Sequence, residues 1–371
     1  MKFQIKKKIF LSSLQKISSL ITKNTLYPIL ENISIKIKDN VLFLTSTNLE
    51  SEIQISILKF FSHTSGCTTV SGKKILAVCR KLPDDSNITI LLKNNKLKIF
   101  SENSYYSLTT LPISDFPNFK LKKYQVEFFT TQNAFKTIIS ATQFSMAVQD
   151  LRYFLNGLFL EIRNQHLYAV ATDGYRIAIC KTPITYSFKY YSTILPRRGV
   201  IELLRLLNNT STLVSINMND SYFQLRTDNI VFTSKIIEEN FPKYSSIILK
   251  NLNKKIIINT LSFKQALSRI VILSNEMFQG ILIKNNKNKL EITTSNQYDE
   301  KAYEILETIY INTDIEISVN AYYLLDILNV ITNNEVCLLM NNFNSSIQIQ
   351  QNTCDNNQNH KSIYVLMPLK M

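Results

Sequence analysis

An offset of 125 residues recurs along this chain, and any fold it adopts must accommodate that recurrence. The opening "KFQIKKKIFLSSL" reads as strand, turn and helix. "EFFTTQNAFKTII" repeats it, with Phe3, Phe10 and Leu14 opposite Phe128, Phe135 and Ile139. Further on, Ile75, Leu76, Cys79 and Leu82 are matched at the same offset by Val200, Ile201, Leu204 and Leu207. Phe116 and Phe241, each followed by proline, keep it again. A third, looser copy sets Phe263 opposite Phe135, and Tyr323, Leu324, Ile327 and Val330 opposite the second helix. One offset held at separate places predicts three copies of a domain of about 120 residues, far longer than a solenoid repeat. The expected boundaries are 1–125, 126–253 and 254–371.

Within each copy a helix of about three turns precedes several alternating runs, then a second helix and more strands. "NVLFLTST", "KLKIFSE", "HLYAVAT" and "KLEITTS" are strand-like, so the class is α+β with antiparallel sheet dominant. The basic, apolar N-terminus does not read as a signal peptide. Lys16 interrupts the apolar run, no small-residue cleavage site follows, and Phe10, Leu14, Ile17 and Ile21 fall at helical spacing. That stripe predicts an amphipathic helix packed on a sheet. No run reaches the roughly 18 apolar residues of a membrane span.

On the helix after Pro196, Val200, Leu204 and Leu207 form the expected buried stripe, with Arg198, Glu202, Arg205 and Asn209 opposite. Other helices offer Lys7, Lys8 and Lys16, then Lys73, Lys74, Arg80 and Lys81, then Lys136, Lys264 and Arg269. A single basic face is ordinary solvation; recurrence on equivalent helices favours a shared polyanion surface. The last helix breaks the pattern, with Asp326 and no Lys or Arg. The formal charge of +14 also points to nucleic acid, although a composition crowded with Lys, Asn and Ile reads equally as coding drift.

Chemistry is hard to place on this chain. Five cysteines without C-x-x-C spacing and three scattered histidines suit a reducing cytosol and no zinc site. There is no phosphate loop, no H-E-x-x-H and no nucleophile elbow. Asp150 and Asp173 read as turn carboxylates rather than a nuclease metal pair. No cofactor is expected.

Taken together, "TDGYR", "RYFLNG", "PRRGVIELLRLL", "DFPN", "NFPKY" and the terminal "YVLMPLKM" resemble the bacterial sliding clamps, the β subunits of DNA polymerase III. The resemblance runs the whole length. It implies the DNA clamp fold, with two helices inside and sheets outside in each domain, and a head-to-tail homodimeric ring around double-stranded DNA. It implies no enzyme activity and a place in the bacterial cytoplasm. The implied partners are the polymerase III catalytic subunit, the clamp loader, and other polymerases and repair proteins. Sequence-blind phosphate contacts suit such a ring, because base readout would make sliding sticky. By position, the DNA-facing candidates are Lys23, Asn24, Lys73, Arg80, Gln149, Arg197, Arg198 and Arg205, with Tyr153 and Phe154 placed to stack on exposed bases, Phe154 reading equally as a buried ring. Asn24 stands where the family often has a cation, and the chain's basic total departs from the usual acidic one. An open-groove basic DNA-binding protein is the rival reading.

The resemblance also implies a cleft for partner peptides between domains two and three. Arg152, Leu155, Thr172, Gly174, Tyr175, Arg176 and Ile177 form one wall, and Pro242, Ile247, Asn320, Tyr323, Ser346, Val365, Met367 and Pro368 the other. Arg176 would hold the wall by pairing or donate to the peptide backbone. Tyr175 replaces a common histidine and Ser246 a frequent cation. At the dimer interface, Tyr106 would meet Ile272 and Leu273, with Lys74 and Lys96 facing Glu300 and Glu304.

Overall fold

In the computed structural model, residues 1–23, 26–119, 123–185, 190–249, 252, 254–274, 279–286, 288–311, 315–341, 345–352 and 360–369 are described. Six α-helices occur among them, and a strand leads directly into each. Lys2–Lys6 enters α1 (Lys7–Ile17), Gly66–Ser71 enters α2 (Gly72–Lys81), and Val126–Thr131 enters α3 (Gln132–Ser140). Tyr191–Pro196 enters α4 (Arg197–Leu206), Lys254–Asn259 enters α5 (Thr260–Ile270), and Ile315–Asn320 enters α6 (Ala321–Val330).

Local chemistry fixes several of these boundaries. The Ser71 hydroxyl accepts from the Lys74 amide, the Asn259 carboxamide from Ser262, and the Asn320 carboxamide from Tyr323. Each side chain satisfies an amide that the first helical turn leaves without a partner. Pro83 follows the C-cap of α2 and stops the helix there. The predicted stripe of α1 is buried: Phe10, Leu14, Ile17 and Ile21 are all at most 9% exposed. On α4 the expected stripe is one position off. Leu203 and Leu206 are buried beside Val200 and Leu207, while Leu204 is only half-buried. Positions i, i+3, i+6 and i+7 stay on one side of a 3.6-residue turn, so the inward face is centred on Leu203.

The chain forms two compact bodies, Met1–Gln132 with Ile201–Ile236 and Asn133–Val200 with Ile237–Met371. In the first, a 13-stranded antiparallel sheet runs from Val126–Thr131 at one edge to Phe61–Thr64 at the other. Ile230–Lys235 joins Ser51–Ile57 in it, with Phe232 opposite Ile53. In the second, nine strands form one sheet and four another. Arg176–Pro183 pairs with Lys361–Leu366 in the larger, placing Ile177 opposite Val365 and Lys181 opposite Lys361. One face of this pairing turns Ala178, Tyr364 and Leu366 into the core of α5 and α6, with Phe263, Leu267 and Leu324. The other face turns Ile177, Ile179 and Val365 under Tyr244 and Phe241.

Lys7 is the clearest departure from the basic-face reading. It is 3% exposed, and its Nζ donates to the Leu82 carbonyl at 2.5 Å and to Asp84 Oδ1 at 2.7 Å. It closes the C-terminus of α2, where a cation complements the helix dipole.

Glu52, half-buried on Ser51–Ile57, has its pKa raised to about 7 by burial, against a smaller opposing effect of the Phe119 backbone. The folded chain therefore binds this proton more tightly than the unfolded one. The cost is absent below the ordinary carboxyl range, grows as pH rises toward 7 and is full above it. Glu52→Gln is expected to stabilise the protein by about 2 kcal/mol at pH 8 and hardly at all at pH 4.5, allowing for partial solvation. Urea denaturation at the two pH values checks this; equal effects at both would refute it.

Candidate peptide cleft and nucleic-acid surface

The second body answers why an arginine follows the tight turn at Asp173-Gly174. Gly174 sits at φ +94°, a conformation that side chains rarely adopt, and a Cβ there would come within 3.3 Å of the Arg152 guanidinium. Asp173 Oδ1 accepts from the amides of Tyr175 and Arg176, both at 3.0 Å, while the Thr172 hydroxyl donates to the Arg176 carbonyl at 2.6 Å. The turn thus satisfies its own polar groups and fixes where Arg176 leaves the strand.

The Arg176 side chain is 9% exposed, with three acceptors around it. Nε donates to Asp173 Oδ2 at 3.0 Å, one terminal nitrogen to Asp326 Oδ2 at 2.7 Å, and the other to the Phe144 carbonyl at 2.9 Å. The guanidinium also lies 4.2 Å from the Tyr323 ring centroid and 5.2 Å from that of Phe144. Of the two expected roles, the pairing one is realised: Arg176 braces the wall from behind. Sequence reasoning missed its partners Asp326 and Phe144, although the lone acidic residue on an otherwise uncharged α6 was the available signal.

Around this brace lies an open cavity of about 580 Å³, lined in part by Tyr175, Tyr323, Asp326, Met146 and Val148. The Tyr323 hydroxyl pKa is raised by burial and then by the Asp173 charge. Tyr175 is exposed at the turn, and its carbonyl accepts from the Met367 amide at 2.9 Å, bringing the C-terminal segment to the turn. Pro368 follows, half-buried. Ile177, Val365 and Ile247 belong to one apolar cluster. Leu155 and Thr172 are buried, Ser346 is half-buried, and Pro242 is exposed. Asn320 spends its carboxamide oxygen on the α6 cap, so its role is local. Arg152 is held by Asp150 in a bidentate pair at 3.0 and 2.9 Å, and that hydrogen bonding lowers the Asp150 pKa to about 2.

Among the nucleic-acid candidates, Lys23, Lys73, Arg80, Arg198 and Tyr153 are exposed, as is Gln149, which sits at φ +54°. Asn24 lies outside the described residues. Arg197 donates to the Met146 carbonyl at 3.0 Å. Two candidates need correction. Arg205 is not an open phosphate donor: it pairs with Glu202 at 2.9 Å and donates to the Gln15 and Lys16 carbonyls and the Ser19 hydroxyl at the end of α1. Phe154 is half-buried, edge-on to Phe241 at 6.5 Å, so its ring is not offered to bases.

At the expected interface, Ile272 is 78% exposed, Leu273 and Tyr106 are half-buried, and Lys74, Lys96 and Glu300 are exposed. Glu304 differs from expectation. Arg269 of the same chain grips both its oxygens at 2.6 and 2.7 Å, which lowers its pKa. No group of three or more potential metal ligands occurs among the described residues.

Family models match nearly the whole length in three segments. The DNA polymerase III β subunit N-terminal domain matches residues 1–120, the central domain 130–243 and the C-terminal domain 245–370. The chain is 42% identical over 371 residues to the β sliding clamp of Buchnera aphidicola from Acyrthosiphon pisum, covering 100% of both. To that of Escherichia coli K12 it is 36% identical, again with both covered in full. A crystal structure of the DNA polymerase III β subunit from Pseudomonas aeruginosa superposes with a TM-score of 0.95 at 32% identity, with 100% of each chain covered.

Proposed function

The chain belongs to the DNA polymerase III β subunit family, the bacterial sliding clamps, and on that premise we propose how its parts divide the work. As a family member it has the three-domain clamp fold and serves processive DNA replication as a non-catalytic factor, with DNA and a polymerase as partners. No helix among the described residues is long and apolar enough to cross a membrane.

The finer reading is our own. The three repeats are 1–125, 126–253 and 254–371, and two chains close head to tail around duplex DNA in the cytoplasm. Two open strand edges support closure. Lys301–Glu307 is the edge of its four-stranded sheet, and Ser104–Leu111 meets Gly66–Ser71 only at Thr110 and Leu111, leaving Ser104–Thr109 open on that side among the described residues. Such edges attract another strand unless covered. Pairing one chain's Ser104–Leu111 with another's Lys301–Glu307 covers both. The turn braced by Arg176 and the partly exposed Ile247, an apolar shelf backed by the buried Ile177 and Val365, take peptide motifs of the polymerase, clamp loader and repair proteins.

Full-length identity of 36% to 42% with β sliding clamps carries this function. The test of the ring is topological. Protein loaded on circular DNA should be released when the circle is cut, whereas an open-groove binder would stay. For the duplex contacts, replacing Lys73 or Arg80 by glutamine should weaken binding equally across sequences. Each change should lower the slope of log affinity against log salt by about 1. Arg205→Gln should change that slope less, because its donors are already engaged.

A further inference from the structure

The apolar shelf does not end at the proposed cleft. Along Arg176–Pro183, Ile177, Ile179 and Lys181 share one face, and Val365, Ile363 and Lys361 stand opposite them on the neighbouring strand. Lys181 and Lys361 are thus directly cross-strand, and like charges so placed repel. Tyr168 faces Lys181 from the other side. The Arg163 guanidinium lies 4.5 Å from the Tyr168 ring centroid, and Lys181 Nζ lies 5.9 Å from it. These groups open onto a cavity of about 460 Å³ whose floor is Ile179, Ile248 and Ile363. Arg163, Lys181 and Lys361 line it, and among the described residues no carboxylate does. Beneath Arg163, Glu161 is buried, accepts from the Tyr244 hydroxyl and lies 3.5 Å from the guanidinium. Among the described residues, this one buried carboxylate does not balance three cations, two of them in register.

We propose that this cavity is an acidic-residue subsite of the peptide cleft: partner segments anchored at the Arg176 turn, against the partly exposed Ile247 over the buried Ile177 and Val365, carry carboxylates that reach Lys181, Lys361 and Arg163. The inference rests on the peptide-cleft reading above. Continuity of the floor argues for a peptide, since Ile177, Ile179, Val365, Ile363, Ile247 and Ile248 belong to one cluster. Four residue steps along the strand lead from Ile177 to Lys181, roughly 13 Å, a span that an extended peptide covers in about four residues. The carboxylates therefore lie about four positions from the apolar anchor.

Fluorescence polarisation with synthetic peptides tests this. Each carries a Leu-Phe anchor and either four glutamates or four glutamines, placed at one end or the other. On the full chain, a glutamate peptide with the correct polarity should bind about tenfold tighter than its glutamine counterpart. In the Lys181→Gln/Lys361→Gln variant the advantage should shrink below twofold, with glutamine-peptide affinity and thermal stability undiminished. Equal binding of glutamate and glutamine peptides would overturn the subsite while leaving the cleft intact. Failure of every anchored peptide to bind would remove the cleft itself. If the lysine substitutions instead weaken a single-stranded oligothymidylate and leave the glutamate advantage unchanged, the patch serves nucleic acid and the proposal falls.

Discussion

Replacing Arg176 by alanine is expected to destabilise the second body by about 3 kcal/mol and to weaken anchored-peptide binding more than tenfold. The reason is what the side chain leaves behind. Asp173, Asp326 and the Phe144 carbonyl all lose their shared donor. Asp326 is open to water, but Asp173, 15% exposed, is left as a largely buried charge without its partner, which costs about 3 kcal/mol. Asp173 also shapes the turn through two backbone amides, so an uncompensated charge there loosens the wall that carries Tyr175 and Ile177. Arg176→Lys should recover little. A single ammonium on a flexible stem cannot serve three acceptors arranged around a planar fork, nor stack on Tyr323. Urea denaturation and fluorescence polarisation with the Leu-Phe peptides read the two effects separately. An alanine variant with native stability and native peptide affinity would show that the brace is idle.

The same residue shows what the sequence reveals and what it hides. The turn was legible, because Asp-Gly has a local conformational meaning that no distant contact alters. That an arginine there serves as a brace was open between two roles. Its acceptors, Phe144 and Asp326, stand 32 and 150 positions away, and pairing at that range is decided by tertiary packing. Repetition was legible for a related reason: each strand-into-helix unit must bury its own apolar stripe, so Phe10, Phe135 and Phe263 are all fully buried. The basic faces were the weakest guide. A lysine on a helix looks the same whether it meets water, a phosphate or a neighbouring carbonyl. Lys7 turned inward to close α2, Arg205 turned to the end of α1, and Lys73 and Arg80 remained exposed. The offset of one position on α4 has a similar origin: with leucines at 203, 204, 206 and 207, periodicity alone does not choose the inward face.

Ile272→Asp is expected to convert the proposed ring to monomers at concentrations where the native chain is dimeric, with a change in dissociation constant above 100-fold. Ile272 is 78% exposed and follows Arg269 by one helical turn, and Arg269 pairs with Glu304 on the edge strand Lys301–Glu307. Burying an isoleucine contributes about 2–3 kcal/mol, and forcing a carboxylate into the same place adds a desolvation cost. A two-chain ring contains the interface twice, so closure suffers doubly. The charges around it contribute less than the residue types suggest. Arg269 of the same chain already holds Glu304, so Lys74 and Lys96 must compete for it and are left with Glu300, while Lys301 opposes them. A modest weakening of the dimer with rising salt follows, since exposed pairs are screened. Sedimentation velocity across a dilution series measures both effects. Retention on circular DNA should disappear with Ile272→Asp while affinity for Leu-Phe peptides stays native, because the braced turn at Arg176 does not depend on a second copy. An Ile272→Asp chain that still sediments as a dimer would place the interface elsewhere.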